Sequence, residues 1–280
     1  MFPELQLGAQ GEVVLHLYGA LLGLAIVLGC ALAMRNGARL GLGSGRVFLA
    51  LLIGVPCGFV GARAHYALVD PAAFDGWLDL LDMRGGRYFA FGAAAGGTLG
   101  VLLSARLLGA SARGLVDACA PGLALALAIG RVGCFLAGCG FGRPSEAAWA
   151  VRFPAGSRAW HHHRAQGWVA ADAPHSLPVW PTQLLECAAL LLLAWLLQRS
   201  LFAPRPTRSA GRVAALFVLG YCLVRLGVEF ARGDAARGLV GPLSTTQWSA
   251  LAVASALVLA WAYASRDQAR SRSTSATRSR

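Results

Sequence analysis

The sequence predicts an all-α integral membrane protein of about seven transmembrane helices, on three observations. Of its 280 residues 56% are hydrophobic and only 14% charged, against roughly a quarter charged in a soluble domain. Apolar stretches close to the ~20 residues that cross a bilayer recur along the whole chain. The arginines, finally, gather in alternate loops, the asymmetry that orients membrane proteins.

Taken in order, residues 1–11 carry Glu4 and no basic run, so they do not read as a cleavable signal peptide, and the first span serves as an uncleaved insertion signal. The spans fall near 13–34, 48–69, 88–108, 115–133, 182–201, 213–231 and 245–264. Arg35, Arg39 and Arg46 follow the first span, Arg106 and Arg113 the third, and Arg199, Arg205, Arg208 and Arg212 the fifth. The other side collects acids: Glu4 and Glu12 before the first span, and Asp70, Asp75, Asp79 and Asp82 after the second. The N-terminus is therefore expected outside and the C-terminus in the cytoplasm. The formal charge of +12, all of its basic residues arginine, then describes orientation and attraction to anionic membrane lipids. It is not a nucleic-acid footprint. Residues 1–265 form one polytopic domain. Its long outer, periplasmic loop at 140–181 holds Trp149, Trp160, Trp168 and Trp180, side chains suited to an interface, and is expected to contain short helices or hairpins. Residues 266–280, rich in Ser, Thr and Arg, are expected to be a disordered basic cytoplasmic tail.

Against this apolar background, GRVGCFLAGCGFG (130–142) places Arg131 among five glycines at the outer end of the fourth span. Two further groups are ionisable: Glu186 in PTQLLE, and Arg225, Glu229 and Arg232 in YCLVRLGVEFARGD. Spacings of four and three put the last three on one helical face. Charges inside a membrane are costly and point to function. Two readings are open: the charges pair with one another and lock helices together, or they bind a phosphate, since a guanidinium forks onto two oxygens.

At these residues the chain resembles the prolipoprotein diacylglyceryl transferase family. LHLYG (15–19), GARAHY (61–66), GRVGCFLAGCGFGRP (130–144), WPTQLLE (180–186) and YCLVRLGVEFARGD (221–234) are similar to the family's motifs, in the family's order. The resemblance implies a multi-pass enzyme of the bacterial inner membrane that moves the diacylglyceryl group of phosphatidylglycerol onto the lipobox cysteine thiol of a prolipoprotein signal peptide, releasing glycerol phosphate. It implies no metal and no soluble cofactor. It also implies that Arg131 and Arg225 hold the phosphate, with Glu229, Arg232, Gly142, Glu186 and Gln183 around the substrate. Tyr18 and His16 remain as catalytic candidates for the proton of the thiol, which reacts as the thiolate.

The chain departs from the family where polar groups are usual. Phe91 stands where a His or Tyr precedes a glycine pair, Cys134 replaces an Asn, Trp180 replaces the His before Pro, and Leu185 replaces a Tyr. A divergent member with an altered acceptor or reduced activity is one reading, and a non-catalytic phospholipid-binding relative is the alternative. Cys134 and Cys139 read as small packing residues or as a disulfide on the oxidising side. The adjacent His161, His162 and His163 lack the spacing of metal ligands and point to a loop that meets head groups or peptide.

Overall fold

The computed structural model describes residues 4–7, 13–74, 76–81, 90–204, 210–233 and 238–259. Its long elements are helical: α1 (Leu17–Arg39), α2 (Ser44–Val69), α3 (Ala90–Leu107), α4 (Ala112–Leu136), a short α5 (Arg158–Ala165), α6 (Thr182–Leu201) and α7 (Arg212–Ala231), followed by α8 (Thr245–Leu259). Among the described residues α1, α2, α4, α6 and α7 are long and apolar enough to cross a membrane; α3 and α8 are shorter apolar helices. The expected basic tail at 266–280 lies outside the described residues.

The sequence places the first span from residue 13, but the helix begins at Leu17. Val13–His16 (β2) instead pairs antiparallel with Glu4–Leu7 (β1), Glu4 opposite His16 and Leu7 opposite Val13. Val-Val-Leu is apolar enough to extend a span in a hydropathy reading, yet its β-branched residues suit a strand equally well.

The chain divides into two compact units. One comprises 24–126 and 194–214. Here α2 and α3 approach through glycine: a methyl group at Gly61 would meet the Gly92 carbonyl oxygen, and one at Gly96 the Cys57 carbonyl oxygen. Small residues allow this backbone proximity, which is how apolar helices associate when lipid removes the hydrophobic drive. Ala33, Val47, Ala50, Val101, Ala105 and Leu115 form the buried core beside it. A polar bolt joins α1 to α6: Gln198 Nε2 donates to Asn36 Oδ1 at 2.8 Å, and Asn36 Nδ2 donates to Gln198 Oε1 at 3.1 Å. Arg63, buried in α2, donates to the Asp79 carbonyl at 2.7 Å and lies over the Phe74 ring.

The other unit comprises 1–23, 127–193 and 215–280. Its loop at 137–181 folds on its own small core of Phe141, Phe153, Ala159 and Val179. Val151 and Val179 exchange two backbone hydrogen bonds of 3.0 Å, and Ser176 N–H donates to the Phe153 carbonyl at 2.8 Å. Ser157 caps α5 by accepting from Trp160 N–H. The loop contains the short helix α5 and the isolated bridges of Val151 and Pro144 to Val179 and of Pro154 to His175.

Candidate active site

The site is assembled in the unit that contains the loop. Helix α4 ends in a Schellman turn: Cys139 N–H donates to the Cys134 carbonyl at 3.0 Å and Gly138 N–H to the Phe135 carbonyl at 3.2 Å. Gly138 takes φ +66° there, a conformation that disfavours any side chain. The turn is then pinned from α6. Thr182 Oγ1 donates to the Gly140 carbonyl at 2.7 Å, and Gln183 Nε2 donates to the Cys139 carbonyl at 2.9 Å. The first turn of α6 thus fixes the segment that follows Arg131, and one turn further along it carries Glu186.

Gly142 sits at a crossing of three chain segments. Its N–H donates to the Trp180 carbonyl at 2.9 Å, Arg143 N–H donates to the Ala231 carbonyl at 2.9 Å, and Gly233 N–H donates to the Phe141 carbonyl at 3.0 Å. A Cβ at Gly142 would stand 2.5 Å from Trp180 Cβ and 3.0 Å from the Ala231 carbonyl oxygen. Only glycine fits, so this residue has a packing role at the junction.

On α7, Phe217, Tyr221, Arg225 and Glu229 recur every four residues, and all are buried. Their shared face brings the charges together. Arg225 Nη1 donates to both oxygens of Glu186 at 3.1 Å, and Arg225 Nη2 donates to Glu229 Oε2 at 2.9 Å. Arg131 Nη2 lies 3.1 Å from Glu186 Oε1, and Arg232 Nη1 lies 3.6 Å from Glu229 Oε2. Three guanidiniums therefore meet two carboxylates, leaving one positive charge among the five side chains. Exposure grades them: Arg225 is 6% exposed and Arg131 21%. The ion pairs join α4, α6 and α7, and Arg131 lies at the more exposed margin of the cluster.

Tyr18, on the first turn of α1, is partly exposed, and its ring packs where a Gly133 side chain would begin, two residues along α4 from Arg131. His16 closes β2; its side chain lies outside the described residues. Gln183 is fully buried, and its Oε1 has no hydrogen-bond partner among the described residues. Cys134 and Cys139 are free thiols, with Cys139 Sγ 3.6 Å from the Cys134 carbonyl. His163 is buried in the loop, where its Nδ1 accepts from Leu177 N–H at 3.2 Å; burial and the neighbouring His162 lower its pKa from the usual 6.5.

Tyr221 and Thr182 escape a reading of the sequence. Tyr221 is buried on the face of α7 that carries Arg225 and Glu229, and the available signal was its position one turn before Arg225. Thr182 had only its place at the head of PTQLLE.

Residues 6–263 match the family model for prolipoprotein diacylglyceryl transferase. A phosphatidylglycerol–prolipoprotein diacylglyceryl transferase of Clostridium tetani is 31% identical over 84% of this chain and 87% of its own length. A protein of Clostridium perfringens named as the second such transferase is 30% identical, covering 86% of this chain and 88% of that one. One from Burkholderia thailandensis is 36% identical over 73% of this chain and 74% of its own. Nearly the whole chain is covered, including every segment that builds the charge cluster, and it belongs to the prolipoprotein diacylglyceryl transferase family.

Proposed function

We propose that this protein transfers the diacylglyceryl group of phosphatidylglycerol to the lipobox cysteine thiol of a prolipoprotein signal peptide. The observation that carries the reading is the cluster of Arg131, Arg225, Arg232, Glu186 and Glu229, with its excess of one positive charge. A phosphodiester carries one negative charge and balances it. Arg131, at the more exposed margin, takes the phosphate oxygens, with Arg232 beside it and Arg225 supplying field from beneath. The buried Gln183 Oε1 accepts from a hydroxyl of the glycerol head group, and Gly142 keeps the floor of the site rigid.

In the reaction the cysteine sulfur forms a bond to the glyceryl carbon that carried the phosphate. The carbon–oxygen bond breaks, and its electron pair leaves on glycerol phosphate. Charge grows on that leaving group, and preorganised guanidiniums in a water-poor site stabilise it strongly. The thiol proton passes to the neutral imidazole of His16, at the end of β2, with Tyr18 on the first turn of α1 placed to relay it by giving up its own proton as it takes the thiol's. No metal or soluble cofactor takes part in this scheme.

The same reading sets the protein in the bacterial inner membrane with seven spans, counting α3 and α8. The N-terminus lies outside, residues 140–181 form a periplasmic loop, and residues 266–280 form a basic cytoplasmic tail. Membrane lipids surround it and nucleic acid is no partner. Complementation tests the proposal: expression in a strain depleted of its own transferase should restore growth and lipoprotein maturation. Failure by correctly inserted protein would reject it.

A further inference from the structure

The turn that ends α4 brings together two of the chain's seven cysteines, and the charge cluster uses neither. Cys134 lies in the last turn of the helix and Cys139 just beyond its end. Five residues apart on a continuing helix, the two side chains would diverge. The Schellman turn prevents that. Gly138, at φ +66°, sends the chain back, and Cys139 N–H donates to the Cys134 carbonyl at 3.0 Å. In this motif the side chains at these two positions commonly touch. With that bond made, standard covalent geometry keeps the two Cα atoms within about 7 Å, the limit beyond which a disulfide cannot close.

The Cys139 sulfur already points back, 3.6 Å from the Cys134 carbonyl oxygen. An S–H contact of this kind is weak and readily given up. Both residues are partly exposed free thiols, whereas Cys222 in α7 is buried, and thiol exchange requires such access. A second set of contacts holds the pair in register. Gln183 Nε2 donates to the Cys139 carbonyl and Thr182 Oγ1 to the Gly140 carbonyl. The backbone is thus ordered for ring closure before the bond forms.

We propose that Cys134 and Cys139 form a reversible disulfide, a redox modification site that closes the turn after α4. Its co-reactant is a soluble disulfide. One cysteine thiolate attacks that disulfide, forms a mixed disulfide and expels a first thiolate. The other cysteine attacks the mixed bond, closes the Cys134–Cys139 bond and expels a second thiolate. The two cysteine protons end on the expelled thiolates. The cysteines lose two electrons, and the soluble disulfide is reduced to two thiols. A dithiol runs the exchange backwards. The bond ties the end of α4 to the chain beyond it, three residues after Arg131, so redox state sets how firmly that turn is held. The proposed outward topology puts the turn on the oxidising side, where such bonds persist; the chemistry itself needs neither that topology nor the transfer reaction.

The experiment equilibrates purified full-length protein with mixtures of reduced and oxidised glutathione. Samples are acid-quenched, alkylated and digested, and their peptides are mapped by mass. Oxidised wild type should yield a Cys134–Cys139 link without glutathione adducts, and dithiothreitol should return both thiols. Cys134→Ser and Cys139→Ser should each carry a glutathione adduct on the remaining cysteine. The intact pair should close at glutathione disulfide concentrations about tenfold or more below those that half-modify either variant, because its second step is intramolecular. Amide exchange over residues 138–142 should slow roughly tenfold on oxidation and recover on reduction. The link is read on wild type, so a poorly folded serine variant leaves the test intact. Oxidised wild type whose two cysteines stay alkylatable, carry separate adducts or link to other cysteines would overturn the proposal. So would linked protein with unchanged exchange at 138–142.

Discussion

Arg225 and Arg131 sit in one cluster but carry different loads. Arg225 is almost wholly enclosed and pairs with both glutamates, so Arg225→Ala would remove the shared partner of two buried carboxylates and leave Glu186 to Arg131 and Glu229 to the longer contact with Arg232. Breaking such a pair costs about 3–5 kcal/mol, and we expect a clearly lower melting temperature in detergent. Arg131 meets Glu186 from the more open margin, so Arg131→Ala should fold and lose phosphatidylglycerol affinity roughly tenfold or more. Arg131→Lys should fall between, having charge without the two-pronged geometry. Lipid titration followed by native mass spectrometry reads all three, and unchanged binding in both alanine variants would make the arginines purely structural. Phe91 bears on rate. If the family's His or Tyr there handles a proton, this chain should be slow, and Phe91→His should raise turnover within the roughly 10²–10⁴-fold range of a general base. An unchanged rate would mean that Tyr18 or His16 already fills the role. The five charged residues were legible in the sequence because ionisable groups are rare and expensive inside apolar spans. Tyr221 was not, because a tyrosine in such a helix is ordinary until its burial on the face shared with Arg225 and Glu229 is seen.

Elements hold these residues in place. The start of α6 fixes the turn after α4 through two side-chain bonds, to Gly140 and Cys139. Thr182→Val should therefore speed amide exchange across residues 138–142 and lower kcat, with the helices intact; unaltered exchange would deny the turn its dependence on α6. In the loop, His163 must be neutral to accept from Leu177 N–H. Its pKa is lowered on folding, so the unfolded chain binds the extra proton first as pH falls. The loop's stability should thus be full above the unfolded value near 6.5 and decline as pH drops through it toward the folded value. Tryptophan fluorescence melts report this, because Trp168 packs 5.4 Å from the His163 ring. His163→Asn should flatten the pH dependence, and an equally steep variant would assign it elsewhere. Helix cores were legible from apolar length, but element edges were not. Residues 13–16 continue the apolar run, and only their pairing with Glu4–Leu7 makes them a strand. The Gly142 crossing was equally hidden, since it depends on segments about 40 and 90 residues away in sequence meeting at one point.

At the scale of the whole molecule the arginine distribution predicts orientation. A reporter at the N-terminus should score periplasmic and one at the C-terminus cytoplasmic; both on one side would contradict seven spans. Composition alone made the membrane class legible, because no soluble core of this length needs so little charge. The reaction was legible only through motif resemblance, since charge placement by itself fits pairing as well as phosphate binding. The most direct measurement is transfer itself. Purified full-length protein, phosphatidylglycerol and a lipobox peptide are incubated together, and the peptide's intact mass is followed. The account predicts a diacylglyceryl mass gain confined to the cysteine, release of glycerol phosphate, and loss of both with Arg131→Ala. Phosphatidylglycerol binding that depends on Arg131, with no mass gain at any peptide concentration, would contradict it and leave a lipid-binding protein in its place.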